Sequence, residues 1–113
     1  MINGAQAEQL AAQFLGQHGL KLLQQNYRCR YGEIDLIMRD GSILVFVEVR
    51  LRSRADFGGA AASINSAKQS RLLRTAEHYL TSLKQIPPCR FDALLLHSAE
   101  GADIEWIKNA FSG

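Results

Sequence analysis

The sequence has no apolar run approaching the roughly 20 residues that a membrane-spanning helix needs. Its longest, Ile43 to Val47, has the length of a strand. The first residues, Met1 to Glu8, lack a basic start followed by an apolar stretch, so no secretory signal is predicted and the expected location is cytoplasmic. Only two cysteines occur, Cys29 and Cys89, far apart and in no Cys-x-x-Cys pair. They are expected to be reduced, partly buried thiols, which excludes a disulfide scaffold and a zinc finger. His18, His78 and His97 are scattered, and none is assigned to a metal or to a Ser-His-Asp arrangement. The Gly58-Gly59 loop is not followed by Gly-Lys-Ser/Thr, so it is no phosphate-binding P-loop.

What remains is an ordinary globular composition, 47% hydrophobic and 21% charged over 113 residues. It predicts a single domain spanning 1–113, with no internal repeat or linker. The net charge is only +2 but unevenly spread. Between Arg50 and Arg74 stand Arg50, Arg52, Arg54, Lys68, Arg71 and Arg74 against Asp56 alone, a local balance of +5. A basic segment on a nearly neutral protein is compatible with an anionic partner such as nucleic acid, or with the ordinary solvated face of a loop and helix.

Ala7, Leu10, Ala11, Phe14 and Leu15 recur at helical spacing, predicting a helix over Asn3 to His18 that stops at Gly19. Leu20 to Arg30 reads as extended. Gly32–Arg39 and Ser42–Arg50 are β-rich runs around Asp40-Gly41, a dipeptide that favours a type I′ hairpin. A glycine-containing loop, Ser53 to Ala62, precedes a long amphipathic helix marked by Ile64, Leu72, Leu73, Ala76, Tyr79, Leu80 and Leu83. Ser63 is its expected N-cap, where free N–H groups can hold a phosphate. After Pro87-Pro88, Arg90 to Ser98 and a short Asp103–Ile107 read as strands. Strand, long helix and strand in that order predict that Ile43–Arg50 and Phe91–His97 lie parallel in one sheet. The expected fold is α/β, a mixed β-sheet flanked by helices.

Side chains alternate along a strand, so Glu33, Asp35 and Ile37 share a face, as do Leu44, Phe46, Glu48 and Arg50. A turn at Asp40-Gly41 pairs Arg39 with Ser42, sets Glu33 opposite Glu48 and Asp35 opposite Phe46, and brings Glu33, Asp35, Glu48 and Arg50 together. Opposed like charges about 5 Å apart cost roughly 3 kcal/mol per pair at an effective dielectric near 20. A wet face, a neighbouring arginine or a shared cation relieves that repulsion. Convergent carboxylates suit Mg²⁺ or Mn²⁺, which also bind phosphate oxygens.

Gly32-Glu33-Ile34-Asp35-Leu36-Ile37 followed by Phe46-Val47-Glu48-Val49-Arg50 resembles the split acidic motif of the PD-(D/E)XK nuclease superfamily. From Gly4 to Phe111 the chain more closely resembles the YraN family of bacterial proteins. Gly58-Gly59-Ala60-Ala61-Ala62-Ser63, Lys68-Gln69 and the tail Glu105-Trp106-Ile107-Lys108-Asn109-Ala110-Phe111 all take part. The resemblance implies a restriction-endonuclease-like core similar to archaeal Holliday-junction resolvases. It also implies a divalent-metal-dependent, endonuclease-like protein acting on DNA, with branched DNA a candidate substrate, and by analogy a homodimer. On that basis Asp35 and Glu48 ligate Mg²⁺ or Mn²⁺ with Glu8, and Glu33 assists. Arg50 stands at the catalytic lysine position, and Gln69 lies near the site. Arg52, Arg54, Lys68, Arg71 and Arg74 would track the DNA backbone.

Two positions depart from the pattern. Ile34 replaces a proline before Asp35, and Arg50 replaces lysine. Lysine deprotonates when desolvated and can activate water; arginine stays charged and can only hold phosphate or stabilise leaving charge. The alternative is therefore a non-catalytic nucleic-acid-binding or adaptor module that retains the fold. Gln69 fits a site role or simple satisfaction of a backbone group, and Trp106 and Phe111 are read as packing residues.

Overall fold

The structure is a computed structural model that describes residues 3–51, 65–97 and 103–111. The chain opens with α1, Gly4–Gln17. Asn3 and Gln6 cap it reciprocally: each side-chain oxygen accepts the other's backbone N–H, both at 2.9 Å. Its inward stripe is Ala7, Ala11 and Leu15, spaced by four and fully buried. Then follow β1 (Lys21–Cys29), β2 (Gly32–Asp40), β3 (Ile43–Leu51), α2 (Ser66–Leu80), β4 (Cys89–Leu96) and β5 (Ile104–Phe111).

The five strands lie in chain order in one mixed sheet. β3 and β4 run parallel across the connection that contains α2, as predicted, and every other neighbouring pair is antiparallel. One apolar layer joins Ala7, Ala11 and Leu15 to Leu36, Met38, Val45 and Val47; the other joins Leu72 and Ala76 to Ile37, Phe46, Phe91 and Ala93. With a helix against each face, the inner strands are buried on both sides. That is why Val45-Phe46-Val47 and Leu94-Leu95-Leu96 are unbroken apolar runs rather than alternating ones.

The hairpin turn differs from the expected one. Asp40 pairs with Ile43, so the two turn residues are Gly41 and Ser42. Gly41 has φ +60 while Asp40 and Ser42 are not in the left-handed region, which fits a turn with glycine at its first central position. A type I′ turn would force Asp40 to positive φ, at a cost glycine avoids. The register moves accordingly: Ile37, not Asp35, opposes Phe46, and Glu33 is not opposite Glu48. A two-residue shift preserves which face each side chain occupies, so the acidic residues of β2 and β3 stay on one side. Gly41→Ala should cost about 1–2 kcal/mol in urea unfolding, through backbone strain alone, because open space surrounds the added methyl.

α2 begins at Ser66 and is capped by Asn65, whose side-chain oxygen accepts the Lys68 N–H at 2.9 Å. The expected cap Ser63, together with Ile64, Arg52, Arg54 and the Gly58-Gly59 loop, lies outside the described residues. Leu83 falls beyond the helix end at Leu80 yet still packs on the α2-side layer. Strand β5 is longer than expected and reaches Phe111, whose ring stacks on Phe91 at 4.7 Å. Trp106 meets Phe14 edge-on at 6.2 Å, so both aromatics pack as predicted. Cys29 and Cys89 are free thiols, the first half-buried and the second exposed rather than partly buried.

One buried charge lies outside the candidates that the sequence suggests. Asp92 is 1% exposed in the middle of β4. Its carboxylate accepts from Arg90 Nε (3.0 Å), Trp106 Nε1 (3.0 Å) and the Asn109 N–H (2.9 Å), tying β5 to β4 where their register shifts. Asn109 takes φ +56 to make this reach. Removing the carboxylate strands three donors, so Asp92→Ala should lower the unfolding free energy by about 3 kcal/mol. A loss below about 1 kcal/mol by urea titration would show that Arg90 and water compensate.

Candidate functional site

Paired register between β2 and β3 runs from the turn to Leu36–Val47. Beyond it the Val49 N–H bonds to Asp35 Oδ2 at 2.8 Å, a side chain standing where a main-chain carbonyl would otherwise accept. Alternation also slips here. Ile34 and Ile37 both pack in the α2-side layer, whereas Leu36 and Met38 pack in the α1-side layer. Asp35 sits at that slip, at the end of the paired hairpin.

There a cavity of about 190 Å³ is lined by Glu33, Asp35, Glu48, Lys68 and Arg71, with Gly32 and Leu72 completing its wall. Glycine suits position 32: its φ of +149 strains other residues, and a Cβ there would stand a tight 3.1 Å from Thr75 Oγ1 of α2. Lys68 and Arg71 of α2 thus share the cavity with the strand acids.

Electrostatic tension concentrates on Asp35. Burial first, then the neighbouring Glu48 carboxylate, push its pKa from 3.8 to about 7; the Val49 hydrogen bond opposes this, and Glu8 and Glu33 add to it. Glu8 projects from α1 with Oε1 buried and lacking a hydrogen-bond partner. Burial raises its pKa too, partly offset by a hydrogen bond from Asn26. Glu48, 8% exposed, is held by Lys68 Nζ at 2.7 Å and lies 3.5 Å from Arg50 Nε. Glu33 is exposed on the cavity rim and paired with Arg28 at 3.1 Å.

The predicted site residues are thus partly gathered. Asp35, Glu48 and Glu33 share the cavity with Lys68 and Arg71, and Arg50 lies beside Glu48. Glu8 is coupled to them through its charge, acting on Asp35 and feeling Glu33 and Glu48. Gln69, half-buried on α2, and the exposed Arg74 stand outside the cavity lining. Among the described residues no three His, Cys, Asp or Glu side chains form a ready metal cage. Lys68, expected along a DNA backbone, also pairs with Glu48, a contact absent from the sequence-based expectations. No local signal marks that pairing, because it joins α2 to β3 across a long connection.

These features define an α/β protein with a mixed five-stranded sheet, helices on both faces and, at the end of the central hairpin, a cavity lined by three acidic and two basic side chains. Residues 7–96 match the model of the uncharacterised protein family UPF0102, and the chain belongs to that family, the one the motifs identified as YraN. A UPF0102 protein of Nitrosospira multiformis is 60% identical over 110 residues, covering 97% of this chain and 92% of the relative. One from Nitrosomonas europaea is 62% identical over 108 residues, covering 96% and 92%. One from Psychromonas ingrahamii is 52% identical over 108 residues, covering 96% and 88%.

Proposed function

We propose that this protein is a divalent-metal-dependent, endonuclease-like phosphodiesterase acting on DNA, in the manner of the PD-(D/E)XK superfamily that its hairpin motif resembles. The observation that carries this reading is Asp35, a carboxyl held near pKa 7 by burial and by Glu48 inside a cavity rimmed by cations. A bound cation would relieve the repulsion that makes this pair of carboxylates costly.

The residues fit such an ion in donor chemistry. All are hard carboxylate oxygens, Glu8 Oε1 is buried and unsatisfied, and positive charge would relieve the Asp35–Glu48 repulsion. Mg²⁺ is commonly held by one or two carboxylates plus water and substrate phosphate, so a closed protein cage is not needed. Asp35 and Glu48 would hold the ion, with Glu8 and Glu33 nearby as further oxygen donors. When bound it would lower the pKa of a coordinated water and offset charge on the phosphodiester. Arg50 and Arg71 would bind phosphate oxygens as fixed cations, and Gln69 would orient a neighbour by hydrogen bonding. Lys68, flexible and only 23% exposed, would release Glu48 and turn to the phosphate. Arg74 lies one turn further along α2, suited to the next stretch of backbone.

One observation favours a second reading, a non-catalytic nucleic-acid-binding module: Glu48 already has Lys68 and Arg50 as counter-ions. Incubating the protein with duplex, flap and junction DNA in Mg²⁺ or Mn²⁺ separates the two. The first predicts metal-dependent nicking; the second predicts salt-sensitive binding that is indifferent to metal and to Asp35→Asn.

A further inference from the structure

Next to the acidic cavity lies a larger one, about 490 Å³, lined by Tyr31, Arg74, Glu77, His78 and Thr81. The two are neighbours through consecutive residues: Tyr31 precedes Gly32, and Arg74 follows Arg71 by one turn of α2, a rise of about 4.5 Å. We propose that this second cavity is a stacking subsite for one unpaired nucleobase of a DNA strand whose backbone runs past Arg71 and Arg74 towards the acidic cavity. The proposal rests on the nucleic-acid reading above and adds a site that the acidic motif does not contain.

Four observations carry it. The Tyr31 ring stands at the β1–β2 turn, between Cys29 and Gly32, rather than in either apolar layer. The Arg30 guanidinium lies over that ring at 4.8 Å from its centroid and donates to its hydroxyl at 2.6 Å, two contacts that orient the platform. The His78 ring, 6.1 Å from Tyr31 at 62°, forms a side wall and is fixed through Nδ1 by the Tyr27 hydroxyl. Among the described residues Arg71 and Arg74 have no ion-pair partner, leaving two cations available to consecutive phosphates.

The volume suits a nucleoside-sized ligand, within the range of roughly 300–1,000 Å³ usual for small-molecule sites. Glu77 supplies an acceptor for a base amino group, and the Tyr31 face accepts any base by stacking. A base inside a duplex has both faces covered by its neighbours and cannot enter. The subsite therefore selects strands that leave the duplex near the cleaved phosphate.

The test uses the full chain without metal at low salt. A single-stranded oligonucleotide and a flap, each with one 2-aminopurine in the unpaired arm, report stacking by fluorescence quenching, and a fully paired duplex serves as reference. Wild type should quench the unpaired reporter. Tyr31→Ala should abolish the quenching and weaken single-strand and flap binding roughly tenfold, leaving duplex affinity unchanged, while Tyr31→Phe should behave as wild type. If Tyr31→Ala binds every DNA as wild type does, or loses duplex affinity equally, the subsite is wrong and the nucleic-acid reading stands. If the wild-type chain binds no DNA, both fall.

Discussion

Asp35→Asn should make the metal-free protein more stable at pH 8, by on the order of 4 kcal/mol, with the gain fading as the pH falls. The sign follows from the proton balance. In the unfolded chain Asp35 titrates near its ordinary value of 3.8, and in the folded chain near 7. Between those values the native state binds the extra proton, so stability falls as pH rises through the interval. Above 7 the carboxylate is ionised in both states and the full penalty is present; below about 4 there is none. Asparagine carries no such penalty at any pH and can still accept the Val49 N–H, so the two proteins should converge on acidification. Urea unfolding in EDTA at pH 8 and at pH 5 measures the difference. An Asp35→Asn protein that is less stable at pH 8, or a difference independent of pH, would mean that Lys68 and Arg71 already neutralise the cavity.

The second large effect is on cleavage. Glu48→Gln keeps the side-chain volume at a buried position and retains an acceptor for Lys68, so the fold should survive. It removes the charge that would hold a divalent ion beside Asp35. If that ion supplies several kcal/mol of stabilisation to the phosphoryl transition state, metal-dependent nicking should fall by about 10²–10³-fold. On the proposed reading, DNA binding without metal should stay the same or tighten, because one negative charge would have left the surface proposed to meet phosphate. Nicking that survives Glu48→Gln within tenfold would leave the proposed chemistry without its second ligand.

The sequence revealed the layers more readily than the site. The four-residue spacing of Ala7, Ala11 and Leu15 and the apolar runs in β3 and β4 are direct imprints of burial on one or both faces, so the α/β order and the parallel β3–β4 pair could be read from the chain. The turn lies one residue beyond the expected Asp40-Gly41, since Asp-Gly and Gly-Ser both suit two-residue hairpins. Local chemistry does not choose between them; the backbone angle of Gly41 does. The acidic cluster survives that difference because a two-residue shift keeps side chains on the same face. Asp35 and Glu48 were legible as a motif, but the slip in alternation at Asp35 that buries its carboxylate was not, because it depends on where Ile34 finds room. Lys68 and His78 of α2 meet Glu48 and Tyr27 across tens of residues in sequence, so no local pattern marks those pairs. Asp92 could have been flagged: a lone aspartate within Phe91-Asp92-Ala93-Leu94 must be either exposed or fully bonded, and here it is bonded.

The central claim is that Asp35 and Glu48 share a divalent cation. Calorimetric titration of the metal-free protein with Mn²⁺, run near pH 6.5 in buffers of differing ionisation heat, tests it most directly. The account predicts one ion per chain, partial proton release as Asp35 ionises, affinity that rises towards pH 8, and loss of binding in both Asp35→Asn and Glu48→Gln. No saturable heat, or binding that both substitutions leave intact, would contradict it.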